Sequence, residues 1–331
     1  MNVDNSTTDI ADLTAADVAW DIDSILPDGA TPAELFDRAD DIADSLTDLR
    51  GRVAELDAGE LAAAMHTMAE LHDLMARASY HAMLAFSTAT DDPARGAAMA
   101  AAQECATAIG TKLIFFDLEW AAADDDHAAT VLADPRLDFC RHHLDNLRLS
   151  RPYLLSEAEE TIVAEKSQTG FGAWVRLFDE LTSAITVDLP DELGGAGTPL
   201  MQGLALMQHP DRSVRQQLAS AVTAGLQPGL RTRAYVFNTL LHDKAIDDRL
   251  RGYPSWVSSR NLANEASDES VQALVDAVVD NYSIAQRWYT LKAQVLGLDK
   301  LADYDRMASV ATADRDIGWA EGTQIVRDAY A

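Results

Sequence analysis

Residues 240–256 read LLHDKAIDDRLRGYPSW. The apolar residues do not alternate as they would on a strand, but charges recur at helical spacing. Asp243 lies four residues before Asp247, Lys244 four before Asp248, and Asp247 four before Arg251. Neighbours at that spacing share a helix face and pair across one turn. Gly252-Tyr253-Pro254 then stops the run, because glycine and proline end helices. The stretch is predicted to be a charged, solvent-facing helix that runs into a loop. A second reading stays open, in which Arg251 and Tyr253 at the helix end line a groove.

The same texture extends outward in both directions. Upstream, residues 211–250 read as helices, and beyond the break residues 267–298 read as another helical region with Ser267 as N-cap. Near the start, residues 31–53 open with Thr31, a first-turn proline and an acid three residues on, the pattern of a capping box. A second long helix is expected from a cap near Asp57, a third from Pro93, and another over residues 172–185. The chain breaks at Arg151-Pro152 and restarts at a Ser156 cap. Only residues 185–200, with Gly194-Gly195 and Pro199, alternate briefly; they are read as a small hairpin or loop and as a boundary. The fold class is therefore all-α with a possible small β-hairpin near residues 185–200. The predicted organisation is an N-terminal helical unit over 1–190 and a second unit over 200–331. No repeat with a fixed signature suggests a solenoid. Residues 316–331 read as a helix with no glycine or proline stop, so the native protein is expected to continue past residue 331.

The chain has 331 residues, 48% of them hydrophobic, enough for a sizeable core. No apolar run reaches the length of a membrane span. The first 20 residues carry neither a basic region nor an apolar stretch, unlike a secretory signal. A soluble, cytoplasmic protein is expected. The net charge of −28, from 54 acids against 26 Lys and Arg, argues against nucleic acid and against an anionic membrane surface. Only five of the basic residues are Lys, and 39 of the acids are Asp. A salt-rich cytoplasm and a high-GC genome both account for that bias. The two cysteines, Cys105 and Cys140, do not make a disulfide framework and are expected to be buried free thiols.

No catalytic constellation emerges. The eight histidines are His66, His72, His81, His127, His142, His143, His209 and His242. None of them are four apart with a Glu between, as a zinc-hydrolase helix requires. They are read as surface or satisfied core residues. There is no Cys-x-x-Cys, no Gly-x-Ser-x-Gly elbow and no phosphate loop, since 194–197 (GGAG) lacks the Lys-Ser/Thr ending. Asp91-Asp92 and Asp124–Asp126 lack calcium-loop spacing and read as solvated helix starts, where carboxylates suit the helix dipole.

Five blocks, in order, resemble the oligoendopeptidase F branch of the M3 zinc metallopeptidases. They are VAWDIDSILP (18–27), the Pro-Leu-Ser, acid-rich and tryptophan segment 151–185, HPDRSVRQQLASAV (209–222), residues 238–265 around the opening stretch, and residues 287–308. The most family-like part is about 111–185, and residues 200–331 resemble the start of the peptidase domain. The family's His-Glu-x-x-His helix, its third acidic ligand, and its substrate-polarising His and Tyr would all fall beyond residue 331. The resemblance therefore carries no catalytic residue and no metal ligand to any position here, and leaves the substrate-binding residues unknown. It implies zinc in the full-length protein, short peptides as substrates, and a C-terminal catalytic half as partner. This chain would form one wall and much of the lid of a deep channel, and would be inactive alone. In the intact enzyme the zinc would polarise the scissile carbonyl and acidify its water, whose proton the Glu would take. The rival reading is a stand-alone helical module that binds peptides without cutting them.

Overall fold

The structure is a computed structural model that describes residues 20–27, 29–310 and 317–330. The first 19 residues lie outside it, including Val18 and Ala19 of the first block. Helices dominate. The first, α1 (Pro32–Leu46), starts from a reciprocal cap: the Glu34 amide donates to Thr31 Oγ1 at 3.3 Å, and the Thr31 amide donates to Glu34 Oε2 at 2.9 Å. Two 30-residue helices follow, α2 (Ala58–Ser87), capped by Asp57, and α3 (Pro93–Ala122), capped by Asp92. Each cap carboxylate accepts two backbone N–H groups that the first turn leaves without helical partners.

These three helices build the main core. Leu35, Leu61 and Leu71 pack with Phe115, Phe116 and Trp120, all essentially without solvent contact. Two short helices close it: α4 (Asp125–Leu132), capped by Asp124, and α5 (Arg141–Leu149). The Trp120 indole N–H donates to the Leu144 carbonyl at 2.9 Å, so the largest buried ring is both packed and satisfied. Cys140 is buried in the same core, but Cys105 is exposed. The expectation of two buried thiols is corrected on this point. On α3, Ala102 and Ile109 take the core-facing positions, and the run is apolar on nearly every face, so its composition hid which way Cys105 points. Asp124 and Asp92 do sit at helix starts. Asp125 is not merely solvated: Arg148 and Arg151 both pair with it and hold its carboxyl below the usual range.

A 3-10 turn at Arg151–Tyr153 leads to α6 (Glu157–Ser167), capped by Ser156, and then α7 (Phe171–Ser183). The texture changes where the glycines gather. Strand β1 (Thr186–Val187) pairs antiparallel with β2 (Thr198–Pro199), Val187 opposite Thr198. Gly194, Gly195 and Gly197 turn the connection with positive φ, which a side chain would oppose. A small second core of Val187, Leu189, Leu218 and Val222 joins this hairpin to α8 (Leu200–Ala205) and α9 (Arg212–Leu226). Contact there is close: a Cβ on Gly225 of α9 would lie 2.7 Å from the Thr186 carbonyl oxygen. The chain continues through α10 (Leu230–Arg251), α11 (Ser258–Ala263), α12 (Asp268–Asp280), α13 (Tyr282–Val295) and α14 (Trp319–Tyr330). The architecture is all-α with one two-residue hairpin, as the sequence predicts.

Candidate functional site

Residues 240–256 form the last turns of α10 and the loop after it, and their charges do not all face solvent. Lys244 Nζ donates to both Asp248 oxygens at 2.8 and 2.7 Å and to Ser259 Oγ of α11 at 3.0 Å, with Asp248 buried. Arg251 reaches across to α6. Its guanidinium grips Glu160 through two parallel bonds of 2.7 and 2.9 Å, and its Nε donates to Asp247 Oδ1 at 3.0 Å. A third partner is the Tyr153 carbonyl, at 3.3 Å. Planar two-point pairing of this kind suits arginine and not lysine.

Glu160 and Arg251 are only 15% and 17% exposed at their side chains. The Arg251 bonds lower the Glu160 pKa against the opposing effect of burial, while Glu160 raises that of Arg251. Gly252 ends α10 in the left-handed conformation at φ 76°, and the Tyr253 amide then closes back onto the Asp248 carbonyl at 2.9 Å. That turn lays the Tyr253 ring on Tyr153, with centroids 4.2 Å apart and planes 22° from parallel. Arg251 and Tyr253 thus form a clasp that fixes α10 to α6 and to the turn preceding it. Long-range pairing consumes them, and the charged-helix reading misses that part of the face is turned inward.

A second polar knot lies further along. Asp305 is fully buried and receives Arg212 and Arg215 from α9, Arg215 Nη2 at 2.9 Å and Arg212 Nη2 at 3.0 Å. Arg215 also donates to the carbonyls of His209, Pro210 and Tyr304. Burial alone would raise the Asp305 pKa. The bonds from Arg212, the Ala302 amide and Arg215 outweigh it and hold the carboxyl at about 2. No local signal in the sequence marks this knot, since its partners lie about ninety positions apart.

The histidines disperse. His66 stacks on Phe139 with centroids 4.0 Å apart, His81 meets Asp23 at 2.9 Å, and His127 meets the Leu56 carbonyl at 3.2 Å. His142 meets Glu265 at 2.7 Å, while His72 and His143 line a cavity in the N-terminal part. Among the described residues, no three His, Cys, Asp or Glu side chains come together to hold a metal ion. These residues do not fit a zinc ion, and no zinc chemistry is assigned to them.

Beyond α11 the molecule is open. Neither α12 nor α14 buries a residue, and α13 buries only Lys292 and Ala293. Leu274, Val278, Ile284 and Trp288 stand 46–65% exposed on α12 and α13. Exposed apolar side chains gathered on neighbouring helices mark contact surfaces.

The fold, a long-helix core followed by an open helical array, is that of the oligoendopeptidases among solved structures. It matches the crystal structure of oligoendopeptidase-F from Enterococcus faecium with a TM-score of 0.73 and 19% identity, over 89% of this chain and 58% of that one. A second crystal structure, of a protein from Bacillus anthracis str. Ames, matches with a TM-score of 0.64 and 15% identity, over 89% of this chain and 52% of that one. In sequence, the family described as Oligopeptidase F matches residues 119–186. Group B oligopeptidase PepB of Streptococcus agalactiae is 26% identical over 202 residues, 60% of this chain and 33% of that protein. Oligopeptidase PepF of Bacillus subtilis is 24% identical over 178 residues, 53% and 26%. The family match, the curated relatives and the solved structures agree in likening this chain to the N-terminal portion of the oligoendopeptidase F family of M3 peptidases. The match spans a third or less of the curated relatives' length.

Proposed function

We propose that this chain is the substrate-enclosing part of a cytoplasmic, zinc-dependent oligoendopeptidase. The observation that carries it is the contrast between a closed N-terminal core and the uncovered apolar faces of α12 and α13, in a chain whose relatives are much longer. Residues 1–190 act as one helical unit and residues 200–331 open the peptidase unit. The uncovered faces receive the C-terminal catalytic half, which supplies the metal ligands and the general base. The clasp at Arg251 sets the angle between wall and lid, so that only short, unfolded peptides enter the channel.

Alone, the chain does not hydrolyse peptides. Its side chains contribute orientation and exclusion, and proton transfer belongs to the other half. A stand-alone binding module would be expected to cover its own apolar faces, which this chain does not do. The intact mass and activity of the native gene product test the reading together. A product much heavier than 35.9 kDa that cleaves a quenched-fluorescent short peptide and stops on zinc removal is expected. A native product of that smaller mass, or peptide hydrolysis by the 331-residue chain itself, overturns it.

A further inference from the structure

Between α2, α3 and α5 the N-terminal core opens into a cavity of about 230 Å³. Its floor is apolar and soft, built from Met65, Met68, Met75 and Phe116. Methionine adapts its shape to varied apolar groups. The mouth carries His72, Asp117 and His143, one from each helix. Among the described residues these three do not converge as metal ligands.

Asp117 is the unusual member. Two residues on, Glu119 serves the fold, accepting the Gly51 and Val53 amides at 2.7 and 3.0 Å. Asp117 makes no hydrogen bond and no ion pair among the described residues. It is solvent-exposed at the mouth on one side, while the apolar walls on the other raise its pKa. The charge of His143, when present, is the counterweight. An unpaired carboxylate at the rim of an apolar cavity is open to a cation whose apolar part enters the cavity. The surrounding field, from a chain of net charge −28, draws cations to it.

We propose that this cavity binds a primary ammonium carried on a short apolar group, the ammonium on Asp117 and the apolar group on the methionine floor. The amino end of a peptide that begins with an apolar residue has this chemistry, and so does a free aliphatic amine. The proposal stands apart from the channel reading, because it concerns only the N-terminal core.

Methyl-labelled methionine NMR on the whole chain tests it. Saturable shifts at Met65, Met68 and Met75 are expected with leucinamide. Affinity should fall at least tenfold for N-acetyl-leucinamide and for 4-methylpentanoate, which lack the ammonium. A Leu-Gly-Gly tripeptide that binds as leucinamide does assigns the site to peptide ends, and its exclusion assigns it to free amines. Asp117→Asn should lose at least tenfold in affinity while its thermal midpoint holds or rises, because the carboxylate has no partner to lose. Equal binding of the acetylated compound, retained affinity in Asp117→Asn, or no saturation at millimolar leucinamide overturns the proposal. The comparison of ligands uses the unmodified chain and holds even if the variant misfolds.

Discussion

Arg251 shows what a single residue contributes when its partners lie far away in sequence. Arg251→Ala would leave the largely buried Glu160 with only the Leu155 amide and no cation, and a cost of about 2 kcal/mol is expected, below the full value for a deeply buried pair. Urea unfolding checks this. Arg251→Lys should recover only part of the loss, because an ammonium cannot reproduce the two-point grip. Asp305 gives a pH signature. Its carboxyl titrates at about 2 when folded, below the ordinary 3.8. The folded state therefore binds fewer protons than the unfolded state, and the stabilisation is complete above the ordinary value. It is lost as pH falls from about 4.5 towards 2, and is worth about 2 kcal/mol. Asp305→Asn should flatten that part of the stability profile; an unchanged profile would mean the knot is solvated.

At the scale of the element, most helix starts were legible and most partnerships were not. Thr31, Asp57, Asp92, Ser156 and Ser267 all accept first-turn amides as N-caps. A cap is written within four residues, so periodicity and one polar side chain suffice to find it. The small hairpin was visible because glycine and proline cluster there. The clasp was not, since nothing near Arg251 names Glu160, and pairing across 91 positions depends on the assembled fold. The direction of Cys105 was hidden for a different reason: an alanine-rich helix looks apolar all round. The hairpin itself is gripped by small residues. Gly225→Ala should press a methyl group against the Thr186 carbonyl and cost about 1–3 kcal/mol, seen as a lowered melting temperature. Val278→Glu on the open face of α12 should instead leave stability within about 0.5 kcal/mol and reduce binding of an apolar dye. A large loss of stability there would mean that α12 is packed.

For the whole molecule the excess of acid is the leading property. With a net charge of −28, like charges repel across the surface, and added salt screens them over about 10 Å at 0.1 M. The melting temperature should rise steeply with KCl. A flat response would assign the abundance of Asp to base composition and not to adaptation. Residue spacing singled out Arg251 and Tyr253, while the likeness to a peptidase was legible only through the five family-like blocks. Among the described residues no three His, Cys, Asp or Glu side chains assemble to hold a metal ion, so local patterns offered no chemistry to read. What the sequence concealed is that its two parts differ so much in closure.

That difference has a consequence for how the chain is made. Every member of the large core, from Leu26 to Leu147, is encoded in the first half. At synthesis rates of roughly 5–20 residues per second, those helices are all available roughly ten to thirty seconds before residue 310 emerges. The first lobe can therefore be finished, and resistant to proteases, while α12 and α13 are still arriving with their leucines, valines and tryptophan bare. The nascent protein carries a folded head and a sticky tail for that interval, and it is the tail that a holding chaperone would have to cover.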